Sequence, residues 1–358
     1  MNGYNSKTIF KKVFIIKRFS AKQIAAQAGV GLATVDRVLN NRGNVHAQTV
    51  DKVHKAIEEL EGQYQVNQIK GRTFYFDLLM DTPARFSEQV KSAILAVIPE
   101  MASYKIRFRF RFFENISTEE MAKEILNTDR KQCQGLIIKA SNLPEIRECI
   151  DKLSKKMPVV TVVTDLPESK RVAYIGLDNY SAGQTAAFLL GNWLPTSQAQ
   201  VLSVTSSEAF HGEEQRQAGF LDGIAAYPHL SVIRISGGQG LANSTEKHVI
   251  SACSYYKDQI RGVYSIGGGN RAILNGLRYI GVKSPIFIGH DLDAENTFLL
   301  KKRYIDAVID HKLADDARAA IQFLLNSYRK TPLISAYQSS INVITPFSLP
   351  PRATAAKR

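Results

Sequence analysis

Leu32, Ala33, Asp36 and Arg37 are the side chains of this sequence best suited to reading another molecule. At helical spacing they share the outer side of one short segment. An arginine donates a fork of hydrogen bonds, and a carboxylate accepts from a cytosine amine or repels a phosphate. Their neighbours are short enough for such a helix to enter a major groove. This chemistry is recognition, and no set of residues asks for catalysis. Gly267-Gly-Gly-Asn270 follows an apolar run and precedes a helical one, an arrangement that can cradle an anion. Neither Gly-x-x-x-x-Gly-Lys-Ser/Thr nor Gly-x-Gly-x-x-Gly accompanies it. Ser206 and Ser207 lack a nucleophile elbow, and the seven His residues show no metal spacing. The expectation is a protein that is not an enzyme, with no cofactor and no metal.

The elements that must hold the reading side chains are two helices around a glycine turn, in residues 20–40. Ile24, Ala25 and Ala28 fall on one face of the first; Val35, Val38 and Leu39 fall on one face of the second. Gly29 stands where the chain leaves the first helix and can take positive φ. A third helix over 46–61, with Val50, Val53, Ile57 and Leu60 at helical spacing, closes a small core, and Asn44 is its expected cap.

The run Ile-Ala-x-x-Ala-Gly-Val-x-x-Ala-Thr-Val-x-Arg-Val-Leu-Asn resembles the LacI family of bacterial transcription regulators. The resemblance implies a helix-turn-helix head in which Leu32, Ala33, Thr34, Asp36, Arg37, Asn40 and Thr49 meet DNA, Asn40 and Thr49 by matching the family pattern. Two departures stand out. Gly31 occupies a place where the family usually has Ser, so a capping and phosphate-binding hydroxyl is lost, and Asp36 replaces a small polar residue. The linker 62–73 lacks the family's Ala-x-x-Leu run; Val66 or Ile69 is left as the candidate minor-groove wedge, and Gly71 suggests a loose segment.

The 358 residues are 44% hydrophobic and 22% charged, as expected of a protein with well-filled cores, and carry a net charge of +13. Residues 1–73 hold 12 Lys and Arg against 5 Asp and Glu, which suits phosphate attraction by the first part. Cys133, Cys149 and Cys253 make neither a disulfide framework nor a zinc spacing and fit a reducing cytoplasm. Residues 1–18 read as a basic extension whose apolar run, 13–16, is too short for a signal or a membrane span. The expected organisation is an extension 1–18, a head 19–61, a linker 62–73, a two-lobed region 74–346 and a tail 347–358.

From Phe74 onward short apolar runs alternate with helical ones, the rhythm of parallel βαβ units. Strands are expected at 74–80, 106–113, 135–139, 158–164 and 172–176, then at 200–205, 231–236, 262–266, 285–289 and 306–310. Arg107, Arg109 and Arg111 alternate with apolar residues and are read as the wet, protective face of an edge strand. The fold class is therefore α/β: a three-helix head followed by two doubly wound parallel-sheet lobes, resembling the type I periplasmic binding proteins. Lobe 1 is assigned 74–177 and 291–309, lobe 2 200–290 and 310–346, with crossovers near 177–200, 290–300 and 310–345.

Ligands in such sheets bind at the carboxyl ends of strands. Asp81, Phe86, Asp178, Arg216, Asn270, Asp291 and His311 lie just past the strands, at positions that contact ligand in the family. Carboxylates and amides exchange hydrogen bonds with vicinal hydroxyls, Arg donates a fork, and an aromatic ring covers an apolar sugar face. The implied function is a ligand-controlled, homodimeric transcription regulator. Its partners would be a near-palindromic double-stranded operator and a sugar or polyol, with no membrane. The competing reading is a sugar-binding transport protein without gene control.

Overall fold

The computed structural model describes residues 19–43, 45–66, 72–128, 133–329 and 332–350, with backbone alone for 61–66. Three helices form the head: α1 (Ala21–Ala28), α2 (Leu32–Leu39) and α3 (Ala47–Val66). A capping box opens α1. Gln23 N donates to the Ser20 hydroxyl at 3.2 Å, and Ser20 N donates back to the Gln23 side chain at 2.9 Å. Gly29 then turns the chain at φ 65°, a left-handed conformation that costs a side chain strain. Gly31 caps α2 without any side-chain hydrogen bond, the consequence of the missing hydroxyl. Ile24, Val35, Val53 and Leu60 meet in the head's core. Helix α3 continues through Val66, so the first part of the expected loose linker is helical. Asn44, Ile69 and Gly71 lie outside the described residues.

Lobe 1 is built on β1 (Thr73–Asp81), β2 (Lys105–Phe113), β3 (Leu136–Lys139), β4 (Val159–Val162) and β5 (Ala173–Ile175), in the parallel order β2-β1-β3-β4-β5. Between them run α4 (Ala84–Val97), α5 (Thr118–Leu126) and α6 (Pro144–Ser154). Lobe 2 alternates α7 (Asn179–Trp193), β6 (Ala199–Val204), α8 (His211–Ile224), β7 (Leu230–Ile235), α9 (Ala242–Cys253), β8 (Ile260–Ser265), α10 (Asn270–Tyr279), β9 (Ile286–His290), α11 (Ala294–Lys301) and β10 (Ala307–Asp310). After α12 (Leu313–Asn326) comes β11 (Asn342–Ile344), which pairs antiparallel with β10 at the sheet edge; the order is β11-β10-β9-β8-β6-β7. Apolar layers fill both sides of each sheet. In lobe 1, Phe76 and Leu78 face α4 and α12, while Leu79 and Ile138 face α5 and α6.

Two expectations are corrected. Residues 291–309 belong to lobe 2, because β10 pairs with β9, and α12 belongs to lobe 1, where Ile321, Leu324 and Leu325 join its core. The chain therefore crosses at 176–178, 311–312 and 327–341. Apolar alternation identifies a strand but cannot say which of two similar sheets receives it. The second correction concerns the arginines. Among the described strands β2 lies at the end of the sheet, but its arginine face is not wet. Arg109 lies opposite buried Asp77 in register and donates to it at 3.0 and 2.7 Å; Arg111 donates to Asp77 at 3.0 Å and to Glu124 at 2.7 Å. A carboxylate 2% exposed needs such cations to offset its lost hydration.

Candidate functional site

Carboxyl ends of strands from both lobes face each other across one cleft. Asp81 ends β1, Lys139 ends β3, and Asp291 follows β9; Asn270 opens α10 directly after the glycines 267–269, two of them at φ 82° and 79°. Arg216 arrives from α8. Its position depends on how closely α8 crosses α7. A Cβ added at Gly183 would lie 2.1 Å from the Arg216 carbonyl oxygen, and one at Gly219 2.0 Å from that of Tyr180. That approach brings Asn179 within reach, and Arg216 donates to its Oδ1 at 2.8 Å and to the Ile266 carbonyl at 3.2 Å. Arg216 is 5% exposed, so these bonds fix a buried fork against the cleft.

On the lobe 2 wall, Asn270 donates to Asn296 at 2.6 Å, and Asn296 donates to the carbonyls of His290 and Asp291 at 2.9 and 2.7 Å. Asn270 Oδ1 and His290 Nδ1 are buried with no hydrogen-bond partner among the described residues, and Asp291 Oδ1 has none nearer than the His311 ring nitrogen at 3.6 Å; all three residues line the cleft. Unsatisfied buried polar atoms are costly, so their convergence points to a ligand that supplies the missing partners. Burial and the charge of Arg216 push His290 well below its ordinary pKa and hold it neutral. Burial raises the Asp291 carboxyl, but His311 and Arg216 outweigh that and hold it at about 2. Asp291 also has φ 63°, and Val163 on the opposite wall has φ 67°. For a β-branched residue that conformation is an outlier, and strain of this kind gathers at binding sites.

The lobe 1 wall carries Asp81, whose carboxyl is raised by burial and lowered again in part by Lys139 and the Asn115 backbone amide. Lys139 donates to the Asp81 carbonyl at 2.7 Å and lies 3.8 Å over the Phe210 ring of lobe 2. Burial pulls its pKa down to about 8 against the pull of Glu213, Asp81 and Asp291. Phe86, on α4, lines the same cleft. Contacts between lobes hold the cleft closed: Gln89 donates to the Leu292 carbonyl at 2.8 Å, Gly212 N donates to the Thr164 hydroxyl at 2.8 Å, and Arg85 pairs with Asp293 at 3.4 Å.

The structure thus brings together Asp81, Phe86, Arg216, Asn270 and Asp291, but two expected residues do other work. Asp178 caps α7 by accepting from Ser181 N at 3.0 Å and does not line the cleft. His311 sits behind Asp291, 3% exposed, in an ion pair with it at 3.6 Å and with Asp316 of α12 on its other ring nitrogen. Burial opposes its charge, yet bonds to Asp291 and Asp316 raise its pKa to about 10. It is a cationic pin where the chain crosses between lobes. Lys139 and Glu213 are cleft residues that reading along the sequence missed. Lys139 ends its strand as Asp81 does, and Glu213 stands one helical turn before Arg216, so both carried a positional signal.

In the head, Leu32, Ala33, Asp36, Arg37 and Asn40 are exposed, while Thr34 and Thr49 are half-buried. Asp36 accepts from Asn40 at 2.7 Å and from Arg42 at 2.9 Å, so its charge is partly engaged within the head.

The family model for a periplasmic binding protein domain matches residues 78–330, and that for bacterial regulatory proteins of the lacI family matches residues 20–65. The chain belongs to the periplasmic binding protein domain family, with a lacI-family head. The HTH-type transcriptional regulator GalS of Salmonella typhimurium strain LT2 is a homologue, 27% identical over 214 residues, which cover 57% of this chain and 60% of that regulator's length. Among solved structures, GanP, a glucose-galactose binding protein from Geobacillus stearothermophilus, superposes with a TM-score of 0.68 at 19% identity, covering 78% of this chain and 99% of its own. A solute binding protein of an ABC transporter from Burkholderia graminis C4D1M, in complex with D-arabinose, gives 0.69 at 18%, covering 77% and 96%. These likenesses establish that 73–344 has the two-lobed fold of the periplasmic binding proteins. No helix among the described residues is long and apolar enough to cross a membrane.

Proposed function

We propose that this protein is a transcription regulator whose operator affinity is set by a neutral sugar or polyol bound between the lobes. The observation that carries the reading is a cleft with two buried, unpartnered polar atoms, on Asn270 and His290, beside the Asp291 carboxylate and the Arg216 fork, on the same chain as an exposed recognition helix. Vicinal hydroxyls satisfy such a set, each donating to one group and accepting from another. Six carboxylates and three cations line the cleft, so a phosphate group would meet net repulsion where a neutral polyol would not. Relatives of both halves agree in kind: GalS is a transcriptional regulator, and the two solved structures are sugar-binding proteins.

In this reading the protein is a cytoplasmic homodimer whose two recognition helices meet successive major grooves of a near-palindromic operator, with Arg37 and Asp36 at base edges and Asn40 and Thr49 at phosphates. Asp81, Phe86, Arg216, Asn270 and Asp291 hold the ligand. Where the sugar changes operator affinity, linkage requires the operator to change sugar affinity by the same factor. The test is binding of the purified protein to DNA from upstream of its own gene, titrated in salt, with and without D-glucose, D-galactose, D-arabinose and their phosphates. Specific, salt-sensitive binding that a neutral sugar changes is the expected result. Sugar binding by a folded protein that shows no specific DNA binding would favour the transport-protein reading instead.

A further inference from the structure

The head does not stand clear of the lobes. It rests on the β2 side of the lobe 1 sheet and on the flank of α4. Gln27 of α1 donates to the Phe108 carbonyl on β2, and at 2.9 Å to Glu59 of α3. Glu59 in turn pairs with Lys91 of α4 at 3.0 Å, and their side chains are only 10% and 11% exposed. Lys55 and Glu88 form a second, exposed pair at 3.2 Å beside it. A nearly buried ion pair between head and lobe is a specific contact, since separating either group would leave an uncompensated charge or demand rehydration. The recognition side chains Leu32, Ala33, Asp36 and Arg37 remain exposed in this pose.

We propose that this side of lobe 1 is a docking surface for the chain's own DNA-binding head, latched by Glu59 and Lys91, so that head and lobe 1 turn as one body when the cleft opens or closes. The inference rests on the regulator reading above, and it gives that reading a route. Helix α4 presents Glu88 and Lys91 to the head, while its residues Arg85 and Gln89 reach across the cleft to Asp293 and the Leu292 carbonyl. Its buried face, Val90, Ile94 and Val97, fixes it to the lobe 1 core. Cleft motion therefore reorients the head directly, without needing the linker to fold, and the linker here lacks the leucine run such folding would use.

The first test needs no ligand. A carbodiimide that joins amines to carboxylates in direct contact is applied to the whole protein, and cross-linked peptides are identified by mass spectrometry. A Lys55–Glu88 link within one chain is expected; its absence while other surface pairs link overturns the docked pose. The second test measures operator affinity with and without D-galactose, D-glucose or D-arabinose for the wild type, Lys91→Glu, Glu59→Gln and the exchanged pair Glu59→Lys/Lys91→Glu. The sugar's effect on operator affinity is expected to fall to within twofold of none in Lys91→Glu, to weaken in Glu59→Gln, and to return in the exchanged pair. Sugar affinity in the absence of DNA should stay within twofold throughout. Single variants that keep the full sugar effect overturn the latch. A wild type that binds no operator, or whose operator binding ignores every sugar, defeats the regulator reading before any variant is compared, and the latch falls with it.

Discussion

Replacing His311 by Gln separates the two roles open to this residue, ligand contact and buried pin. His311 is 3% exposed between Asp291 and Asp316, and its pKa is raised to about 10 from an ordinary value near 6.5. Between those values the folded protein holds a proton that the unfolded chain has released. Stability should then fall with rising pH, by about 1.4 kcal/mol per pH unit. The contribution is complete below about pH 6.5 and gone above about 10, so its total is about 3–5 kcal/mol once coupling to two carboxylates is allowed for. Removing one partner of a buried pair costs about 3–5 kcal/mol by an independent route. Lys139 works in the opposite direction: its depressed pKa, about 8, makes the protein gain stability as pH rises from there toward its unfolded value near 10.4. Comparing His311→Gln with the wild type at each pH cancels that contribution. The assay is urea unfolding from pH 6 to 9.5, followed by circular dichroism. The variant should be less stable by about 3–5 kcal/mol at pH 6, and the gap should close as pH approaches 9.5. A variant as stable as the wild type at pH 6, but deficient in sugar binding, would refute the pin and restore the ligand role.

Arg216→Met should weaken sugar binding by about ten- to a hundredfold in calorimetry, from the loss of charge-assisted hydrogen bonds, while operator binding without sugar persists. Gly183→Ala should destabilise lobe 2 by about 1–3 kcal/mol in thermal unfolding, because its Cβ would lie 2.1 Å from the Arg216 carbonyl oxygen; full stability would refute the close crossing. Arg37→Ala should cost about 1–3 kcal/mol of operator affinity in gel-shift titrations and leave binding to unrelated DNA nearly unchanged. A phosphorylated sugar should bind at least about tenfold more weakly than its neutral parent in the same calorimetry, since carboxylates outnumber cations around the cleft.

The head was legible in one dimension because its contacts are local. Ile24, Ala25, Val35 and Val38 lie within fifteen residues of one another, and Gly29 supplies the turn between them. The strands were legible for the same reason, since alternation and apolar runs are properties of neighbours. Of the five expected residues that line the cleft, Asp81, Phe86, Asn270 and Asp291 also follow from local position, just past strand ends, whereas Arg216 reaches it from inside a helix. What the sequence could not determine is everything set by long-range pairing. The assignment of β10 to lobe 2 and α12 to lobe 1 depends on which sheet accepts each. Asp178 and His311 have the right chemistry and position, but a helix cap claims one and two buried carboxylates claim the other. The arginines of β2 look solvated in the sequence because Asp77, their partner, stands about thirty residues away on the next strand. The contact between head and lobe has the same origin: Glu59 and Lys91 are ordinary surface charges until folding closes water out around them.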